Sequence, residues 1–208
     1  MTDPTSAPRP PLSLVTAESA LATVFNVLTG GAFLSGLALL WGADDFQIGL
    51  LTAIPFLTPL AQIASAYLIN RTGARKRLTV VSTAISRQVW WLLLPFLFIP
   101  CGLRLTVLIA VIVVCSVAIN FATVGWTSWI SDLVPERTRG RFFATRSMAV
   151  AIATFIATMG GGAALDLFRS HGHEMTGFAV ILAAAGLFAL AAVILLRRTP
   201  DCACQTAP

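Results

Sequence analysis

Six stretches of the chain, at about 19–43, 46–70, 78–100, 105–131, 147–168 and 175–196, are apolar enough and long enough to cross a bilayer. Crossing roughly 30 Å of hydrocarbon takes roughly 20 apolar residues in a helix, because only a helix satisfies its own backbone there. Arg87 in the third stretch and Asp166 in the fifth are the charges they contain. Only 11% of the 208 residues are charged, against roughly 25% in a soluble domain. The surface therefore faces lipid, and the expected class is all-α, an integral membrane bundle of six transmembrane helices. The polar, proline-rich residues 1–14 read as a disordered cytoplasmic tail, 15–198 as the membrane domain, and 199–208 as a second cytoplasmic tail.

Lys and Arg set the orientation. The second and fourth loops carry Arg71, Arg75, Lys76, Arg77, Arg137, Arg139 and Arg141, with Arg146 just beyond, and the tails add Arg9, Arg197 and Arg198. The other three loops hold Arg104 and Arg169. Eleven cations against two place both termini in the cytoplasm of a cell (inner) membrane, crossed several times. The net charge of +5 comes as islands between apolar runs, so no nucleic-acid surface is expected. Cys101, Cys115, Cys202 and Cys204 form no paired framework, and no cofactor or metal is expected.

The second loop reads Ala66-Tyr-Leu-Ile-Asn-Arg-Thr-Gly-Ala-Arg-Lys76. It resembles the Gly-x-Leu-Ala-Asp-Arg-x-Gly-Arg-Lys signature of the major facilitator superfamily through Arg71, Gly73, Arg75 and Lys76, with Ala66 and Asn70 replacing the glycine and the aspartate. The fourth loop, with Asp132, Pro135, Arg139, Gly140 and Arg141, resembles the same superfamily's acidic-x-x-Pro-x-x-x-Arg-Gly pattern. Pro135 would stop the fourth helix and Gly140 would permit a turn into the fifth. The resemblance spans about 15–198 and corresponds to the amino-terminal half of such a transporter, a bundle of two inverted three-helix repeats. It implies transport of a small solute by a half-size protein needing a second six-helix domain, from a homodimer or a partner chain. The alternatives are a non-transporting assembly or receptor module, and a truncated remnant of a full-length transporter.

Site candidates are the polar side chains inside the apolar stretches. Arg87 lies roughly 13 Å deep at 1.5 Å per residue, where an arginine costs roughly 2.5–3.5 kcal/mol on insertion scales. Glu18 is the acidic group nearest to it in depth. Together they make either a substrate or coupling site or a structural pair. Asn26, Gln62, Gln88 and Asn120 are the large amides, each able to bond a solute or another helix. No serine-protease turn or phosphate loop is present, so catalysis is not expected. A small-residue ridge, Ala149-Ala153-Ala157-Gly161, and Pro55, Pro59 and Pro95 predict close packing and kinks.

Overall fold

The structure, a computed structural model, describes residues 12–99, 102–134 and 136–199, without the side chains of 131–133. Every regular element among these residues is helical. Nine α-helices make six spans. Span 1 is α1 (Leu12–Thr29) with α2 (Gly31–Leu40), and span 2 is α3 (Asp45–Leu57) with α4 (Ala61–Thr72). Span 3 is α5 (Arg75–Gln88) with α6 (Leu93–Phe98). Spans 4, 5 and 6 are single helices: α7 (Arg104–Leu133), α8 (Glu136–Ser170) and α9 (Glu174–Arg198). The described residues thus form a helical multi-pass membrane bundle.

The breaks within spans have local causes. Gly31 has φ +49°, and a Cβ on Gly30 would lie 2.8 Å from the Asn26 carbonyl oxygen, so this glycine pair splits span 1. Sequence reading did not anticipate that break. In span 2, a 3-10 turn at Thr58–Leu60 contains Pro59, while Pro55 stays inside α3. Span 3 tightens at Val89–Leu92, just before Pro95, which gives no N–H to the preceding turn. Asp44 starts α3 with a capping box: its carboxylate accepts from the Gln47 backbone N–H at 2.7 Å, and its own N–H donates to Gln47 Oε1 at 3.1 Å.

The fifth span begins at Glu136, well before the expected 147, and Gly140 lies inside α8 instead of making a turn. The reason is amphipathicity. Phe142 buries against Val15, Ile130 and Val134, while Arg137 and Arg141 stay exposed, so the basic segment is helical before it enters the membrane. At the other basic turn, Gly73 adopts φ +65° and its N–H closes α4 on the Ile69 carbonyl at 2.8 Å. A side chain is strained in that left-handed conformation. Gly73→Val is expected to lower stability by about 1–2 kcal/mol, read as an earlier thermal unfolding midpoint in detergent.

Helices in lipid gain little from hydrophobic burial against one another, so close contact between small residues carries the packing. Helix α1 packs on α8 and α9, α5 on α7 and α9, and α4 on α7. Ala185, Ala189 and Ala192, spaced i, i+4, i+7, are completely buried along α9. A Cβ on Gly161 would lie 2.7 Å from Phe33 and 2.8 Å from Leu28, so the ridge on α8 is a seam against span 1. Phe25 and Trp90 meet edge to face at 6.2 Å within the main core.

Candidate functional site

Two arginines reach one turn of α1. Arg87, on α5, donates from Nη2 to Glu18 Oε1 at 2.9 Å. Both side chains are buried, with 7% and 5% of their surface exposed. Nη1 of Arg87 is also buried and has no hydrogen-bond partner among the described residues. A residue lining a cavity between this bundle and another domain would be open in the bundle alone. This pair instead ties span 1 to span 3 from inside. Next to it, Arg146 of α8 donates from Nε to Ser19 Oγ at 2.8 Å, and its guanidinium lies 4.8 Å over the Trp126 ring of α7.

The amides divide among three places. Gln62 donates to Asn120 Oδ1 at 2.7 Å, and Asn120 donates to Thr58 Oγ1 at 3.1 Å and to the Ser116 carbonyl at 2.8 Å. Ser65 adds a bond to the Phe121 carbonyl at 2.8 Å, so α4 and α7 are clipped together beside the 3-10 turn of span 2. Gln88 accepts from Trp91 Nε1 at 2.8 Å, and its own amide nitrogen is buried without a partner among the described residues. Asn26 is exposed. Of the six candidates, Glu18 joins Arg87 and Gln62 joins Asn120, while Gln88 and Asn26 stand apart. Asn120→Leu is expected to cost about 0.6 kcal/mol and at most about 1.7, the measured span for interhelical bonds in membranes, with Gln62→Leu adding little on top. Unfolding in detergent tests both.

Sequence reading missed the smaller polar groups, which form stripes at helical spacing. Span 1 carries Ser19, Thr23 and Asn26; span 2, Thr58, Gln62 and Ser65; span 4, Ser116, Asn120, Thr123 and Thr127. Each set follows i, i+4, i+7, with i+11 as well in span 4, and so lies along one helix face. Span 5 continues the pattern with Ser147, Thr154 and Thr158, Ala151 filling the remaining place. Among the described residues, every fully exposed hydroxyl or amide within the six spans belongs to spans 1, 2, 4 and 5. Span 3 buries Thr79, Ser82, Thr83 and Ser86, and span 6 has no such residue after Thr176. The bonds Gln62–Asn120 and Arg146–Ser19, and the Arg146–Trp126 stack, join the striped spans to each other.

The loop motifs gather at the basic end. Arg71 is exposed in the last turn of α4, and Arg75 and Lys76 open α5, where Lys76 Nζ lies 5.7 Å over Trp129. Cations at a helix N-terminus oppose its dipole, and the Trp129 ring under Lys76 offsets part of that cost. Arg139 is half-buried and Arg141 exposed. The Asp132 side chain and all of Pro135 lie outside the described residues. Among those residues no cluster of three or more His, Cys, Asp or Glu could hold a metal. His171 bonds the Leu167 carbonyl in the last turn of α8, and His173 the His171 carbonyl in the loop. In comparison with protein families, the one described as Major Facilitator Superfamily matches residues 19–203. No curated protein and no solved structure matches the chain.

Proposed function

Since the chain belongs to the Major Facilitator Superfamily, a family of membrane transporters, we propose that it carries a small solute across the membrane on the polar face of spans 1, 2, 4 and 5. The observation that supports this most is the division of the bundle. A helix wholly surrounded by lipid has no use for exposed hydroxyls and amides; among the described residues spans 3 and 6 have only Gln88 and Thr176 half-exposed, whereas the four striped spans carry fully exposed ones such as Asn26, Thr123 and Thr154. Asn26 and Gln62 are the amides best placed for a solute, being exposed and half-exposed. Glu18–Arg87 and Asn120 position the helices that carry them.

The proposed mechanism needs a second six-helix domain, a further copy or a partner chain, rocking against this one. Coverage of the spans supports that reading. In the most apolar windows of spans 5 and 2 only 6% and 17% of residues are buried, against 44% in spans 3 and 6. Spans 5 and 2 therefore offer the surface for an opposing domain. Arg71, Gly73, Arg75, Lys76, Asp132, Pro135, Arg139, Gly140 and Arg141 would bias which side is open, at roughly 0–1 kcal/mol per exposed ion pair. The eleven-to-two distribution of cations supports a cytoplasmic position for this end and both termini in the cell membrane.

Cross-linking in native membranes, followed by mass determination of the intact particle, tests the two-domain requirement. A particle with two six-helix domains is expected. One six-helix domain standing alone would leave no partner for alternating access and favour a non-transporting membrane module.

A further inference from the structure

We infer that the polar face recognises a small hydroxylated organic anion, with Arg146 as its charge-selecting residue; this substrate class rests on the transport reading above. Arg146 stands at the foot of two stripes. It precedes Ser147, the first member on span 5, and it holds Ser19, the first member on span 1, by the 2.8 Å bond from Nε. Its planar head is already oriented by Ser19 and Trp126, so little side-chain freedom is lost when a ligand arrives.

Among the described residues the charge of this arginine is uncompensated. Glu18, one residue from Ser19, is committed to Arg87, and among the described residues no carboxylate lies within ion-pair distance of Arg146. The remaining guanidinium donors have no partner among those residues, and a carboxylate or phosphate matches that fork best. Among the described residues the stripes themselves contain no acidic side chain: Glu18 is buried, Asp44, Asp45 and Asp166 lie towards the other end of the bundle, and Glu136 stands at the start of α8, roughly 15 Å from Arg146 at 1.5 Å per residue. A cationic solute finds no counter-charge there.

The hydroxyls fix the rest of the solute. Thr23 donates its proton to the Ser19 carbonyl and Thr123 to Ile119, each at 2.8 Å, and Thr154 to Val150 at 2.9 Å. With its proton engaged on its own helix, a hydroxyl offers a ligand only lone pairs. These hydroxyls suit O–H or N–H donors, while the exposed Asn26 amide both donates and accepts. One carboxylate beside several hydroxyls satisfies both halves of the site.

The test uses the full chain in nanodiscs of phosphatidylcholine, with three matched probes: gluconate, sorbitol, which lacks the charge, and hexanoate, which lacks the hydroxyls. Thermal shift and tryptophan fluorescence are the readouts. Gluconate is expected to bind at least about tenfold more tightly than either of the others, the usual worth of a hydrogen bond to a charged group. Arg146→Gln should make gluconate and sorbitol alike, Arg146→Lys should keep a weakened preference, and Arg198→Gln should change nothing. Trp126→Phe should diminish the fluorescence change while the thermal shift persists.

Equal binding of the three probes, no binding of gluconate, or a gluconate preference that survives Arg146→Gln would overturn the inference. So would stabilisation by phosphatidylglycerol nanodiscs that Arg146→Gln abolishes while gluconate has no effect, since the anion would then be a lipid headgroup. None of these results touches the two-domain requirement, which the cross-linked particle reads separately. Sorbitol binding that depends on Asn26 and not on Arg146 would keep the polar face and discard the anion.

Discussion

Replacing Arg87 by alanine should destabilise the protein by about 3–5 kcal/mol, because Glu18 would be left charged and alone inside the bundle. Glu18→Ala should cost a similar amount for the same reason. The two residues sit 2.9 Å apart and nearly inaccessible, so water cannot fill the place of a missing partner. Replacing both at once by apolar residues of similar size, Arg87→Met with Glu18→Leu, should recover most of the loss, because two charges no longer have to be kept out of water. Unfolding of the purified variants in mild detergent measures all three. A double variant as unstable as the singles would mean that one of the charges has further work, such as holding a group through Arg87 Nη1.

The next largest effect is expected at Gly125. A Cβ there would collide with Thr79 Oγ1 and come within 3.2 Å of the Arg75 carbonyl oxygen, where α5 and α7 cross. Gly125→Ala should cost about 1–3 kcal/mol as an overpacked contact. The same exchange at Gly160, which meets only open space, should instead be neutral or stabilising by up to about 1 kcal/mol, through helix propensity alone. Thr79→Ala in the Gly125→Ala background removes the nearer obstacle and should restore part of the loss. Equal midpoints for Gly125→Ala and Gly160→Ala would contradict the close crossing.

Hydropathy located the six spans because it sums over some twenty residues, a signal no single substitution hides. It places their ends poorly where polar residues continue a helix beyond the bilayer: hydropathy starts the fifth span at about 147, yet the helix begins at Glu136, because Phe142 gives the basic segment a buried face. The break at Gly30 and Gly31 has no proline to announce it. The Glu18–Arg87 pairing was suggested by matched depth. Gln62 and Asn120 were each singled out, but their union depends on two spans meeting after 58 residues of separation, which no local pattern encodes.

Two features of the polar face escaped for different reasons. The stripes are legible in their i, i+4, i+7 spacing, but serine and threonine are ordinary in membrane helices, so the spacing alone does not set them apart. Arg146 was counted with the cations that anchor the basic end. Only its contacts with Ser19 and Trp126 show that it turns back towards the bundle.

The claim that spans 1, 2, 4 and 5 share a wet face is tested most directly by thiol accessibility. In a background with the four native cysteines replaced, single cysteines at Asn26, Thr123 and Thr154 would be compared with ones at Val81 and Ile194, exposed residues of spans 3 and 6. A charged, membrane-impermeant thiol reagent reaches only water-facing positions. The first three sites are expected to react and the last two to stay protected. Protection at all five, or equal reaction at all five, would contradict a polar face set apart from lipid.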